Sequence, residues 1–508
     1  MRGRFVASAQ RKDLEPDSTW RKDQSYYGTL EADLAPGTLL RTGVSYSQRD
    51  SNVGWADKVP LYGDLTLAGG RSDFFGAPWN HDRYANTNVF ASLEHKLAQD
   101  WKVTLAGSFD HNTARVLSGE TFGSVDKATN EATFGTTNTD YYENNQSYDL
   151  NLTGKYALLG RQHDLVIGAN YSRMYNYGTS YYGTDDLFNF QTVNIKDYSY
   201  AKPTWSGLPE HTSKGAVEQS QYGIYGNTRY HLTDALTAIV GARVSWWDTR
   251  YKQDTTYNPF NNQSSSDTYK KKVTPYAGLI ADIDDAHSVY ASYSTIFQPQ
   301  ALRTPSGELL KPMEGEQYEV GVKGSYLDGR LQTSAALYQV TQTNRALPTN
   351  DTSQYFEAAG KARSRGLDLR ASGQITPGWT VMAGYTYNDS KLLDEASLDT
   401  SASAFSQIAP RHLFRVWSNY RLPGDLSRWE VGGGINATSK LYGGTNDAKI
   451  TQGGFYTADA RLAYKIDEHM TVALNATNLF DRRYITPMTQ GALFGEGRRV
   501  ALTLRANF

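Results

Sequence analysis

The 508-residue chain contains no cysteine. That absence excludes a thiolate metal site, a disulfide framework and a cysteine nucleophile, and it suits passage through an oxidising compartment. Long apolar runs are missing too. No window approaches the roughly 18–20 consecutive apolar residues of a spanning helix, so a helical membrane protein is excluded. Charge of one sign is also lacking: 51 Lys and Arg face 53 Asp and Glu for a net charge of −2, which gives no electrostatic case for a nucleic-acid partner. The opening Met1-Arg2-Gly3-Arg4-Phe5-Val6 carries no apolar stretch of the kind an export signal requires.

What is present is an unusual mixture. Apolar residues reach only 39% and the mean hydropathy is −0.58, yet aromatic residues make up 13%, with 36 Tyr, and Gly numbers 45. A large transmembrane β-barrel has this composition, because its strands give only alternate residues to lipid while its lumen and loops stay polar. The last nine residues show the pattern. With a period of two, Val500, Leu502, Leu504, Ala506 and Phe508 share one face, opposite Ala501, Thr503, Arg505 and Asn507. The same alternation sets Leu236, Ala238, Val240, Ala242, Val244 and Trp246 opposite Thr237, Gly241, Arg243 and Ser245.

Turn chemistry recurs at Ala35-Pro36-Gly37, Ala98-Gln99-Asp100, Leu232-Thr233-Asp234, Leu327-Asp328-Gly329 and Thr376-Pro377-Gly378. Between these tight turns lie long polar connections near 50–82, 112–140, 176–215, 254–270, 298–314 and 391–409. Short and long connections in alternation are expected of a membrane barrel, with short periplasmic turns and long external loops. The reading is one all-β domain over residues 1–508, a transmembrane antiparallel up-and-down β-barrel of about twenty strands. Those flanking the second long loop are placed at 101–111 and 145–157.

Three segments bear a family resemblance. Leu310-Lys311-Pro312 with Gly315-Glu316-Gln317-Tyr318-Glu319-Val320-Gly321-Val322-Lys323 resembles a "P..G.QYEVGVK" segment of TonB-dependent siderophore receptors. Gly360-Lys361-Ala362-Arg363-Ser364-Arg365-Gly366-Leu367-Asp368 is similar to that family's "G..RS.GVE" strand, with Asp368 where Glu is commoner. Asn478-Leu479-Phe480-Asp481-Arg482-Arg483-Tyr484 is similar to its "NLFD..Y" box, and the terminal Phe508 looks like its assembly signal. Within the family the resemblance leans to receptors for ferric pyoverdine, ferrichrome and coprogen.

The resemblance implies a bacterial outer-membrane receptor that is not an enzyme, holds no cofactor and takes a ferric siderophore as its ligand. Its implied partners are the TonB–ExbB–ExbD complex, outer-membrane lipids and lipopolysaccharide, and the barrel assembly machinery, with no nucleic acid. Family members place an energy-coupling box, a plug and a first barrel hairpin ahead of the segment that resembles Arg2–Ala7. Residues 1–508 therefore correspond to about twenty strands of a barrel of about 22. Without plug and box the chain alone is expected not to perform energised uptake, and Val500–Phe508 is expected to pair with Arg2–Gln10 if the ring closes. A plug-free passive pore, a receptor for another nutrient and a soluble all-β binding protein are the alternatives.

Ligand contact is expected from loop aromatics, for which Trp79, Tyr142, Tyr181 and Trp205 are the candidates, while an aromatic girdle or loop packing is the other role open to them. Arg243, Lys323, Arg363, Arg461 and Arg505 are expected to face the lumen. The nine His show no ligand spacing, so iron is expected to arrive already chelated.

Overall fold

The structure, a computed structural model, describes residues 1–54, 58–98, 100–181, 190–197, 202, 212–255, 263–300, 302–349, 355–393, 409–445, 448–488 and 491–506. Twenty strands of eight residues or more run through it, from Arg2–Asp13 to Arg499–Ala506. The chain divides into two units, Met1–His231 with Ile239–Pro275, and Leu232–Ala238 with Tyr276–Phe508.

In the first unit each strand pairs antiparallel with the next: Arg2–Asp13, Trp20–Ala35, Thr38–Ser51, His81–Ala98, Trp101–Phe122, Glu131–Leu158, Arg161–Tyr181 and Thr212–His231. The second unit repeats the scheme through His287–Gln298, Met313–Tyr326, Leu331–Pro348, Phe356–Thr376, Trp379–Leu392, His412–Arg421, Trp429–Thr438, Phe455–Lys465, Met470–Thr477 and Arg499–Ala506. Such a meander satisfies backbone N–H and C=O groups strand to strand, which a lipid environment demands.

One end of each unit carries tight turns. Gly37, at φ +77°, closes the first of them, where a Cβ would meet Lys96 at 3.2 Å and the left-handed backbone disfavours other residues. At another, the Asp284 carboxylate accepts the N–H groups of Ala286 and His287, both at 2.8 Å. These bonds, that of Ala286 foremost, hold its pKa below the ordinary carboxylate range.

The period-two expectation holds along the ladders. Val44 lies opposite Val89, Val89 opposite Phe109, and Leu105 opposite Leu150. In the second unit Leu337 faces Val320 and Leu367, and Leu474 faces Leu462 and Leu502. These side chains are exposed rather than buried, Leu337 at 58% and Leu502 at 74%, save Leu367, which is half-buried. A continuous apolar face turned outward is what hydrocarbon, not water, stabilises. Rings border it in pairs: Tyr222 on Trp246 at 5.3 Å and Tyr293 with Tyr318 at 5.0 Å toward the long-loop end, Trp429 with Tyr464 at 4.7 Å toward the turns.

The second long loop is where expectation and structure part. Instead of a connection over 112–140, Trp101–Phe122 and Glu131–Leu158 carry the ladder without a break from Lys102↔Thr153 to Phe122↔Thr133. The physical reason is that the stretch Thr136-Thr137-Asn138-Thr139-Asp140-Tyr141-Tyr142-Glu143-Asn144-Asn145 stands beyond lipid. Neither of its faces needs to be apolar there, so the hydrophobic alternation that marks the strand lower down is absent.

Candidate ligand-binding site

The first unit builds its strands up beyond the apolar band and packs a loop against their tops. From the segment 52–80, Val59, Leu61, Ala68, Phe75 and Ala77 are buried together with Val116, Phe134 and Ile195. Asn80 locks this module. Its Oδ1 accepts the Gly119 N–H at 2.7 Å, and its Nδ2 donates to the carbonyls of Val53 and Gly119, both at 3.1 Å. Asp82 fastens the loop's start by accepting the Ser51 hydroxyl and the Gly54 N–H, each at 2.8 Å. Lys58 pairs with the buried Glu120 at 3.1 Å and stands over the Phe122 ring. Further out, Lys127 and the Thr66 hydroxyl and N–H lower the Asp64 carboxyl well below its usual pKa.

Under this module, on the polar face of the sheet, lies a concavity of about 450 Å³ whose lining includes Asp23, Arg49, Tyr84, Asn86, Asn112, Tyr141 and Glu143. A second, of about 340 Å³, is lined by Asp110, Asn145, Ser172, Met174, Gln221 and Trp247 among others. The two meet along neighbouring rungs, Asn112↔Glu143 and Asp110↔Asn145. Arg49 Nε donates to Asp23 at 2.9 Å, and Asn145 Nδ2 to Glu143 at 2.6 Å. Trp247 packs at 5.4 Å from Tyr269. The wall therefore offers three flat rings, a guanidinium, carboxylates and a series of amides. Such a surface suits a polar ligand with both flat and hydrogen-bonding parts.

The described aromatic candidates, Trp79, Tyr142 and Tyr181, take other places. Trp79 packs on Gly119 beside Phe134, where a Cβ on the glycine would come within 3.0 Å of the indole. It belongs to the loop module. Tyr142 is in the phase of Tyr148 and Leu150, so it stands on the outward face, grouped with Tyr177 at 5.5 Å and Tyr175 at 6.1 Å. Its neighbour Tyr141 faces the concavity instead. Tyr181, opposite Asn138, is also in the outward phase. Trp205 and Phe508 lie outside the described residues. Tyr84, Tyr141 and Trp247, which line the concavities, are not among those four candidates. Counting back in twos from Leu150 would have separated Tyr141 from Tyr142.

Of the five expected lumen charges, four stand on the polar face. Arg243 donates to Ser245 and Asn170, both at 2.8 Å; Lys323 lies 5.0 Å from the Tyr290 ring centre; Arg461 bonds Glu430 at 2.7 Å; and Arg505 sits opposite Thr471. Arg363 does not. The register from Ala362 to Gln374 is unbroken and places it in the phase of Leu367 and Leu369, on the outward face. Past the end of the apolar band the outward face no longer meets lipid, so nothing forces a charge there inward.

A family model for the TonB dependent receptor-like β-barrel matches residues 19–479. The chain is similar to the ferric-pyoverdine M114 receptor PbuA of Pseudomonas sp. (strain M114), 34% identical over 100% of this chain and 63% of that one. Among solved structures it is similar to the outer-membrane ferripyoverdine receptor of Pseudomonas aeruginosa bound to ferripyoverdine, with TM-score 0.87 and 30% identity over 100% of this chain and 67% of that one. The FpvAI–pyocin S2 complex gives TM-score 0.86 and 30% identity, covering 100% and 68%. The chain thus spans 63% of the length of the first of these relatives. It is a member of the TonB-dependent receptor-like β-barrel family, an outer-membrane fold.

Proposed function

We propose that this chain is the barrel portion of an outer-membrane receptor for ferric siderophores of the pyoverdine class, driven by the TonB–ExbB–ExbD complex in the whole protein. The observation that carries the reading is the polar-face concavity of the first unit. Tyr84, Tyr141 and Trp247 supply flat contact area there, and Arg49, Asn86, Asn112 and Glu143 supply donors and acceptors. Pyoverdine receptors among the similar proteins support the ligand class.

The proposed chemistry is binding, not bond-making. Rings lie against the apolar parts of the chelate while amides and carboxylates meet its hydroxyl and peptide groups. Among the described residues no group of three or more His, Asp or Glu side chains is placed to hold a metal. Iron is proposed to enter already chelated, as the ligand class of the similar receptors implies. The test is accumulation of radioactive iron from ferric pyoverdine by cells that lack their own receptor and produce the complete protein. Accumulation that stops when TonB is removed is expected; equal accumulation without TonB would leave a passive pore as the better description.

A further inference from the structure

Just above the apolar band of the second unit, the outward face gathers cations around one carboxylate. Asp389 is held by Arg411 Nη2 at 3.2 Å, Arg365 Nε at 3.4 Å and Lys391 Nζ at 3.8 Å. The Asp389 side chain is 8% exposed, but Arg365, Lys391 and Arg411 are 53%, 53% and 60% exposed. One negative charge thus organises three positive ones and leaves their outer sides free. Arg363, directly opposite Lys391 on the same face, adds a fourth cation, half-buried and with its Nε buried without a hydrogen-bond partner.

Position gives the cluster its meaning. Leu367 and Leu369 share the face of Arg365, and Tyr385 and Tyr387 share that of Asp389. Tyr387 lies opposite His412 in the next strand, with ring centres 5.2 Å apart. One step along a strand on the same face is about 6.6 Å, so Asp389 and Arg365 sit one step beyond the Tyr387 border, and Lys391, with Arg363 opposite it, sits two steps beyond. At that height an outer-leaflet lipid presents its phosphates, not its chains. The acidic group nearest in the ladder on this face besides Asp389 is Glu316, which stands opposite Thr341, itself opposite Arg363.

We propose that Arg365, Lys391 and Arg411, organised by Asp389, form a binding site for the phosphate groups of a phosphorylated outer-leaflet glycolipid. Guanidinium groups suit the role because they meet phosphate oxygens through paired N–H donors. The site is continuous with the lipid-facing surface and lies on the opposite face of the sheet from any ligand in the barrel interior. It does not depend on the proposed chelate binding.

The test is lipid binding by the purified receptor in mild detergent, read by native mass spectrometry, with bisphosphorylated lipid A and its dephosphorylated form as probes. The receptor is expected to retain the bisphosphorylated lipid and to lose about tenfold in affinity when Arg365→Gln, Lys391→Gln and Arg411→Gln are combined. A double variant, Arg365→Lys with Arg411→Lys, keeps the charge and is expected to keep most of the binding, which guards against a folding defect in the triple variant. Ferric pyoverdine binding on the same preparations is expected to be unchanged. Equal retention of both lipids, or binding insensitive to the triple substitution, would overturn the proposal. Complete displacement by millimolar inorganic phosphate would overturn the assignment to lipid.

Discussion

The long-loop ends of the two units handle the space beyond the membrane differently. In the first, Trp101–Phe122 and Glu131–Leu158 run to 22 and 28 residues, and residues 58–80 pack against them with their own buried core. In the second, Trp379–Leu392 and His412–Arg421 have 14 and 10 residues, and Asp389 with its cations stands one to two steps above the aromatic border. Height and packing make a fixed wall that can shape a concavity. A strand top near the headgroups makes a surface whose partners come from outside. On the two proposals above, ligand recognition belongs to the first end and lipid contact to the second.

Removing the carboxylate at each end tests the contrast most strongly. Glu120→Ala leaves Lys58 partly buried over Phe122 without its ion-pair partner, and a loss of about 3 kcal/mol in the stability of the loop module is expected. Asp389→Ala leaves exposed cations that water can solvate, so less than about 1 kcal/mol is expected there. Denaturant melts of the detergent-solubilised protein, with hydrogen exchange to localise the change, compare the two. Equal costs would erase the distinction.

A smaller effect is expected from Asn80→Ala. The substitution removes the partners of the Gly119 N–H and of two carbonyls in a buried setting. About 2 kcal/mol of local opening should follow. Amide exchange at Gly119 and along 52–80 should quicken, while the strands of the second unit stay protected.

The smallest effect concerns Asp64. Its carboxyl titrates below the ordinary value because Lys127 and Thr66 favour the charged form. A depressed folded-state pKa contributes stability that is fully present above the unfolded value, about 4, and is lost as pH falls below it. Protease cleavage within 60–68 should thus be constant from neutral pH to about 5 and rise on further acidification. Asp64→Asn should show the raised cleavage already at neutral pH. A rise beginning between pH 8 and 6 would point to another group.

How much of this was legible follows from where lipid imposes a pattern. Val500, Leu502 and Leu504 could be read as one face because hydrocarbon admits only apolar side chains there, and the ladder with Met470–Thr477 keeps that phase. Tight turns were legible through Gly and Pro. The strand tops were not, since polar residues fall on both faces there, Asn138, Asp140 and Asn144 on the outward one and Glu143 and Asn145 on the other, and leave no alternation to detect. Arg363 was misplaced for a related reason: a charge in a barrel strand was assigned inward, although beyond the apolar band the outward face is equally wet. The phase itself was available from Leu367. What the sequence does not carry is the knowledge that no bulge interrupts the register between Leu150 and Tyr141.

That register supports the central claim, and two adjacent residues test it. Tyr141 lines the concavity, and Tyr142 stands on the outward face with Tyr175 and Tyr177. The measurement is ferric pyoverdine binding to the purified complete receptor carrying Tyr141→Ala or Tyr142→Ala. Loss of one aromatic contact should weaken binding about tenfold in the first, and the second should match the unsubstituted protein. Weaker binding in Tyr142→Ala with Tyr141→Ala unaffected would contradict the account.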